Sequence, residues 1–226
     1  MRTFLFLSLF ATLLLSLNSC VRESSDSVDQ DRIFTDYELY YNANEDKTYA
    51  RATFRFSNAL GTKLELAAPS EVTFDGDLLT FNQALAYYEK TLAGFVQSGV
   101  FEWKDTEGNV FTNTISINEI GYPVELDTIV RSGSYDLIWT GDPLGDHENV
   151  TLTANGENEA DAQLFFTNDT GAQNIVLGKD KLEKIGAGPG TLFMDRRYQP
   201  ALSQATGAGG LLTGRYRPEN AEVVFE

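Results

Sequence analysis

The strongest constraint on this chain is a period of two. Across residues 48–56, Ala50, Ala52, Phe54 and Phe56 alternate with Tyr49, Arg51, Thr53 and Arg55. Successive side chains of a strand point to opposite faces, so this segment sets one face on a core and one in water. Runs of the same character recur at residues 37–41, 63–66, 71–74, 100–103, 110–115, 116–120 and 123–126. Residues 100–103 and 110–115 flank Asp105-Thr106-Glu107-Gly108-Asn109 and make the clearest hairpin in the chain.

A second series of strands is expected at 135–140, 149–154, 162–167, 174–177, 191–194, 211–216 and 221–225, with one helical turn within 179–185 and a tight loop at 207–210. The DTIVRSGS stretch at 127–134 divides the two series. Short strands at regular spacing with turn signals predict an all-β chain of two tandem antiparallel β-sandwich domains, each of immunoglobulin-like size. The expected boundaries are 33–130 and 131–226, and one continuous sandwich is the alternative. Residues 83–92 stay open between helix and strand. Leu85, Tyr88 and Leu92 have helical spacing behind Asn82 as a cap, while residues 87–92 also alternate and lean towards a strand.

The amino terminus obeys a different rule. Residues 4–17 are almost wholly apolar, follow Arg2, and end at Leu17-Asn18-Ser19-Cys20. That pattern reads as a secretory signal. It is too short for a spanning helix, which needs about 20 apolar residues. Residues 21–32 (VRESSDSVDQDR) are polar and charged and are expected to form a flexible acidic tether.

The tetrapeptide LNSC resembles the lipobox of bacterial lipoproteins. The resemblance implies cleavage before Cys20 and a diacylglyceryl group on its sulfur. It divides the chain into a signal peptide (1–19), lipidated Cys20 with its tether (20–32), and the body. Removing residues 1–19 takes away Arg2 and no acid, so the formal charge moves from −16 to −17. Such a balance argues against nucleic acid as a partner, because phosphate neutralisation needs Lys and Arg. With Cys20 lipidated, no cysteine is left for a disulfide, a thiolate metal site or a nucleophile.

Chemistry has few places to reside. His147, the one histidine, lies in an acidic loop with no nucleophile-elbow motif and reads as a surface residue. Asp142, Asp146 and Glu148 of that loop are weak calcium candidates, since calcium takes six to eight oxygens. Their spacing departs from the EF-hand pattern, and no other metal or cofactor is indicated. Trp103, Trp139 and Tyr88 are the possible ligand-binding residues, with Tyr40, Tyr41 and Tyr87 behind them. Adjacent tyrosines on a strand point opposite ways, so one of each pair faces outward. Arg196, Arg197, Arg215 and Arg217 gather positive charge in the last strands of an acidic chain. They could contact an anion or pair with neighbouring acids.

Lipobox, acidic tether and β-sandwich body together resemble the small outer-membrane lipoproteins of Bacteroidota. The resemblance implies export, a lipid anchor in the outer membrane on its periplasmic or surface side, and a non-catalytic binding role towards carbohydrate or another envelope protein. An accessory role in polysaccharide uptake and a carboxylate-dependent glycoside hydrolase are the alternatives.

Overall fold

The computed structural model describes residues 23–158 and 161–226; the signal segment and Cys20 lie outside them. The alternation is realised in β3, where Ala50, Ala52 and Phe54 are buried while Tyr49, Arg51 and Thr53 turn to the other face. The strands of the first half are β1 (Glu23–Ser24), β2 (Ile33–Asn42), β3 (Lys47–Phe56), β4 (Lys63–Glu65), β5 (Glu71–Phe74), β6 (Asp77–Leu78), β7 (Thr80–Asn82), β8 (Tyr87–Ala93), β9 (Ser98–Lys104) and β10 (Val110–Ser116). Then follow β11 (Thr128–Ile129), β12 (Tyr135–Ile138), β13 (Glu148–Asn155), β14 (Gln163–Thr167), β15 (Asn174–Leu177), the short helix α1 (Lys179–Leu182), β16 (Gly188–Tyr198), β17 (Gly210–Arg217) and β18 (Ala221–Phe225).

One large sheet runs through both halves in the order β1-β4-β3-β2-β17-β16-β13-β14, with β8 attached to β3 and β18 to β16. A four-stranded sheet, β10-β9-β5-β6, packs on its first half, and the pair β12-β15 on its second. The class is the expected one, an all-β sandwich.

Each half has its own core. In the first, Tyr37, Leu39 and Phe54 meet Val72, Phe101 and Trp103. Tyr37 stacks on Phe101 at 4.9 Å, and Phe54 meets Trp103 at 5.1 Å. The indole N–H of Trp103 donates to Ser70 Oγ at 3.0 Å, which satisfies its one polar atom in the interior. In the second, Leu152, Leu192 and Met194 meet Leu137, Trp139 and Ile175. A fully buried side chain of this size contributes about 1.5–3 kcal/mol.

The cores do not divide the chain at 130/131. β17 runs parallel to β2, Gly210 beside Thr35 through Arg217 beside Asn42, and puts Leu212 into the first core. Ile120 and Ile129 belong to the second core. β1–β4 and β11–β18 are also parallel, so the large sheet is mixed rather than purely antiparallel. The late strand supplies β2 with the second hydrogen-bonding neighbour that its first-half partners leave open. Gly214 permits the fit: a Cβ there would lie 2.0 Å from the Ser116 carbonyl oxygen.

Three local expectations change. Residues 83–86 form a turn, not a helix, because Asn82 Oδ1 accepts from the amides of Ala84 and Leu85 at 3.1 Å and so closes the turn locally; the strand β8 follows. Residues 117–120 and 123–126 are irregular rather than strands. The described part of the tether is docked on the body. Ser25 and Gln30 are buried; Ser25 Oγ accepts from Ala67 N at 2.9 Å and Gln30 Nε2 donates to the Ser25 and Val28 carbonyls. Its polar side chains satisfy backbone groups instead of solvent, so composition alone misjudged it. No helix among the described residues is long and apolar enough to cross a membrane.

Candidate functional site

The outer face of the first half carries the site. Register builds it as cross-strand ladders. Tyr49 of β3 opposes Tyr40 of β2, which opposes Arg215 of β17. One step along, Glu89 of β8, Arg51 of β3, Glu38 of β2 and Thr213 of β17 form the next row. Residues directly opposite on one face lie within contact distance, so each row is a set of interacting side chains.

The Tyr40 and Tyr49 rings stack at 5.9 Å. The Arg215 guanidinium lies 3.6 Å from the Tyr40 ring centroid, and that of Arg51 lies 4.6 Å from the Tyr49 centroid. Arg51 donates to Glu89 Oε2 at 2.6 Å and to Glu38 Oε2 at 3.4 Å. Burial works against its charge, but the two carboxylates outweigh that and raise its pKa. Arg215 is held differently. Its Nε stands 3.6 Å from Glu38 and 3.8 Å from Asp195, and is buried without a hydrogen-bond partner among the described residues. Stacking, rather than a bidentate carboxylate, fixes this cation.

Asp36, Glu38, Arg51, Thr53, Tyr87 and Thr213 line a half-open cavity of about 290 Å³. Burial, and then the charge of Glu38, raise the Asp36 pKa against the opposing pull of Arg55 and Lys63. The cavity offers hydroxyls, carboxylates and a guanidinium within one enclosure.

The residues expected to bind ligand fall elsewhere. Trp103 is 0 % exposed, Trp139 2 % and Tyr88 8 %; all three fill cores and offer no platform. Trp139 donates to the Asp142 carbonyl at 3.4 Å, and the Tyr88 hydroxyl accepts from Leu66 N at 2.7 Å. Tyr41 is likewise buried in the first core, whereas Tyr87 reaches the cavity. Of the acidic-loop residues expected as calcium ligands, Glu148 is engaged by protein groups. Its two oxygens take Arg196 at 3.0 and 2.6 Å, Asn118 at 2.7 Å and the Gly145 amide at 2.6 Å. Burial pushes its carboxyl up, but those hydrogen bonds outweigh burial and hold its pKa below the ordinary 4.5. Asp146 accepts from Thr170 instead, and no group of three or more His, Cys, Asp or Glu among the described residues is placed to hold a metal. His147 is an exposed turn residue at φ 64°.

The arginines separate. Arg196 turns inward to Glu148, Arg217 pairs with Asp195, and Arg215 alone joins the tyrosines. Asp36, Glu38, Arg51 and Thr213 were missed as site residues. The alternation of β3 signalled the face of Arg51; nothing local signalled that Thr213 would stand beside Glu38.

No protein-family model matches the chain, and no curated protein matches it. Among solved structures, one on host cell surface retention of a 1.5-MDa bacterial ice-binding adhesin aligns at 14% identity and a TM-score of 0.28. That alignment covers 85% of this chain and 66% of the other, so this chain spans just under two thirds of it. The two tandem V-type regions of VCBP3, a v-region-containing chitin binding protein, align at 10% identity with a TM-score of 0.22, covering 86% of this chain and 99% of that one.

Proposed function

We propose that this protein is an exported lipoprotein, anchored through Cys20 in the outer membrane, whose body is a non-catalytic binding module. Its ligand site is the cavity lined by Asp36, Glu38, Arg51, Thr53, Tyr87 and Thr213, flanked by the Tyr49–Tyr40–Arg215 stack, whose central ring, Tyr40, is only 5 % exposed. The observation that carries the reading is Arg215, a cation stacked on a tyrosine beside a polar enclosure, whose buried Nε has no hydrogen-bond partner among the described residues and only the looser ion pairs with Glu38 and Asp195. Asp36 and Glu38 accept, Arg51 and Arg215 donate, and Thr53 and Thr213 do both. A ligand that mixes donors and acceptors suits this set, as the hydroxyls of a neutral carbohydrate do. A net charge of −16 disfavours a polyanion.

The test is a glycan array probed with the mature lipidated protein, in parallel with Arg215→Met. Binding that falls at least tenfold in the variant supports the reading. Absence of binding, or binding unchanged by the substitution, overturns it. Export and anchoring are tested separately: Cys20→Ala moves the protein from the membrane to the soluble fraction, and unchanged partitioning refutes the anchor.

One observation favours a second reading, a carboxylate-dependent hydrolase. Asp36, with its raised pKa, lines the same cavity as Glu38 two residues along the strand, which sets their Cα atoms about 6.6 Å apart. An array-positive glycan that stays intact on long incubation excludes it.

A further inference from the structure

We propose that the end of the body carrying the β3–β4 turn rests on the lipid bilayer, with Leu60 and Leu85 as its apolar contacts. The inference depends on the lipid anchor at Cys20 and adds an orientation to it. Only Val21 and Arg22 separate Cys20 from Glu23, the first residue of β1. Three residue steps span at most about 11 Å. The described chain is docked from Glu23 onward, so the body has no long leash.

The register fixes which end is held down. β1 is parallel to β4, with Glu23 beside Leu64 and Ser24 beside Glu65. The chain therefore enters β1 from the side on which β4 begins, which is the side of the turn joining β3 to β4. Leu60 in that turn is 95% exposed. The turn before β8 is at the same end, because Lys63 Nζ donates to the Leu85 carbonyl at 2.6 Å; Leu85 is 54% exposed. Two isobutyl groups thus project on neighbouring turns where the anchor enters.

This end carries charges of both signs. Arg55 and Lys63 are cross-strand partners. Arg32 joins them through its hydrogen bond to Ser57 at 3.1 Å. Asp31, the acid next to Arg32, accepts from the Gly207 amide at 2.7 Å. These three cations stand among the acids Glu23, Asp31 and Asp36, so the apolar side chains and the nearby anchor, not net charge, carry the inference.

The native tryptophans make the test clean, since Trp103 and Trp139 are both buried. The mature lipidated protein is reconstituted in phosphatidylethanolamine–phosphatidylglycerol vesicles containing acyl-brominated phospholipid, as Leu60→Trp, Leu85→Trp and Lys47→Trp. Lys47 is the exposed first residue of β3, about 30 Å along the strand from Phe56. The expected result is bromine quenching of the new indole at 60 and 85 at least twofold above that at 47. A protein that floats with the vesicles but is quenched equally at all three positions overturns this inference and leaves the anchor standing. A protein that does not float overturns both.

Discussion

Arg196 grips Glu148 with two hydrogen bonds, Nε to Oε1 at 3.0 Å and Nη2 to Oε2 at 2.6 Å, with both side chains 3% exposed. The same guanidinium donates to the carbonyls of Glu119, Asp142 and Pro143. It therefore ties β16 to the segment that leaves β10 and to the loop that enters β13. Removing either partner strands a buried charge, which costs about 3–5 kcal/mol. Arg196→Ala and Glu148→Ala should each lose that much in urea unfolding. The double variant Arg196→Met with Glu148→Leu should recover part of it, short of the whole because three carbonyls lose their donor. Single variants within about 0.5 kcal/mol of the parent would contradict the account.

The pair also sets an acid limit. The folded pKa of Glu148 is depressed, so its contribution is complete above the unfolded value, about 4.3, and is lost as pH falls through the folded value. Stability measured against pH for the parent and Glu148→Gln should differ by a constant amount above about pH 5 and converge below about pH 4. Parallel curves down to pH 2 would rule out the linkage.

Asp36 has the opposite sign. Its folded pKa is raised, so its ionisation costs stability above that value and costs nothing once it is protonated in both states. Asp36→Asn should raise the melting temperature at pH 7, with the gain fading below about pH 4. Equal melting temperatures at pH 7 would show that the carboxylate is fully solvated.

Both tryptophans should emit to the blue of free indole and resist iodide. Trp103→Ala should cost about 3–5 kcal/mol, as expected for a large core ring. Red-shifted, readily quenched emission would place one of them on the surface after all.

Gly214→Ala tests the junction of β17 with β10. A methyl group 2.0 Å from the Ser116 carbonyl forces the backbones apart. Destabilisation of about 1–3 kcal/mol is expected, the range for overpacking. A neutral substitution would mean that β17 does not approach Ser116.

Much of the fold was legible because burial on one face writes itself into the sequence as alternation. Ala50, Ala52 and Phe54 announced β3, and Asp105 to Asn109 announced the hairpin, where Asp105 accepts from the amides of Glu107 and Asn109 at 2.8 Å. The docked tether was illegible because Ser25 and Gln30 are polar; their burial depends on hydrogen bonds to Ala67 N and to the Ser25 and Val28 carbonyls, which composition does not display. The site was half legible. The tyrosine pairs and the late arginines each drew notice, but Tyr40 and Arg215 are 175 residues apart, and only the parallel pairing of β2 with β17 brings ring and guanidinium together.

That pairing also imposes an order of events on a newborn chain. The first half's own strands are complete at Ser116, yet Leu212 arrives more than 90 residues later. Until then β2 keeps an open edge and the first core lacks one of its buried leucines. Contacts this distant form late, after the loop between them has closed. The first half therefore cannot seal on its own synthesis: its sheet and core close only after Leu212 has been made and β17 has found β2.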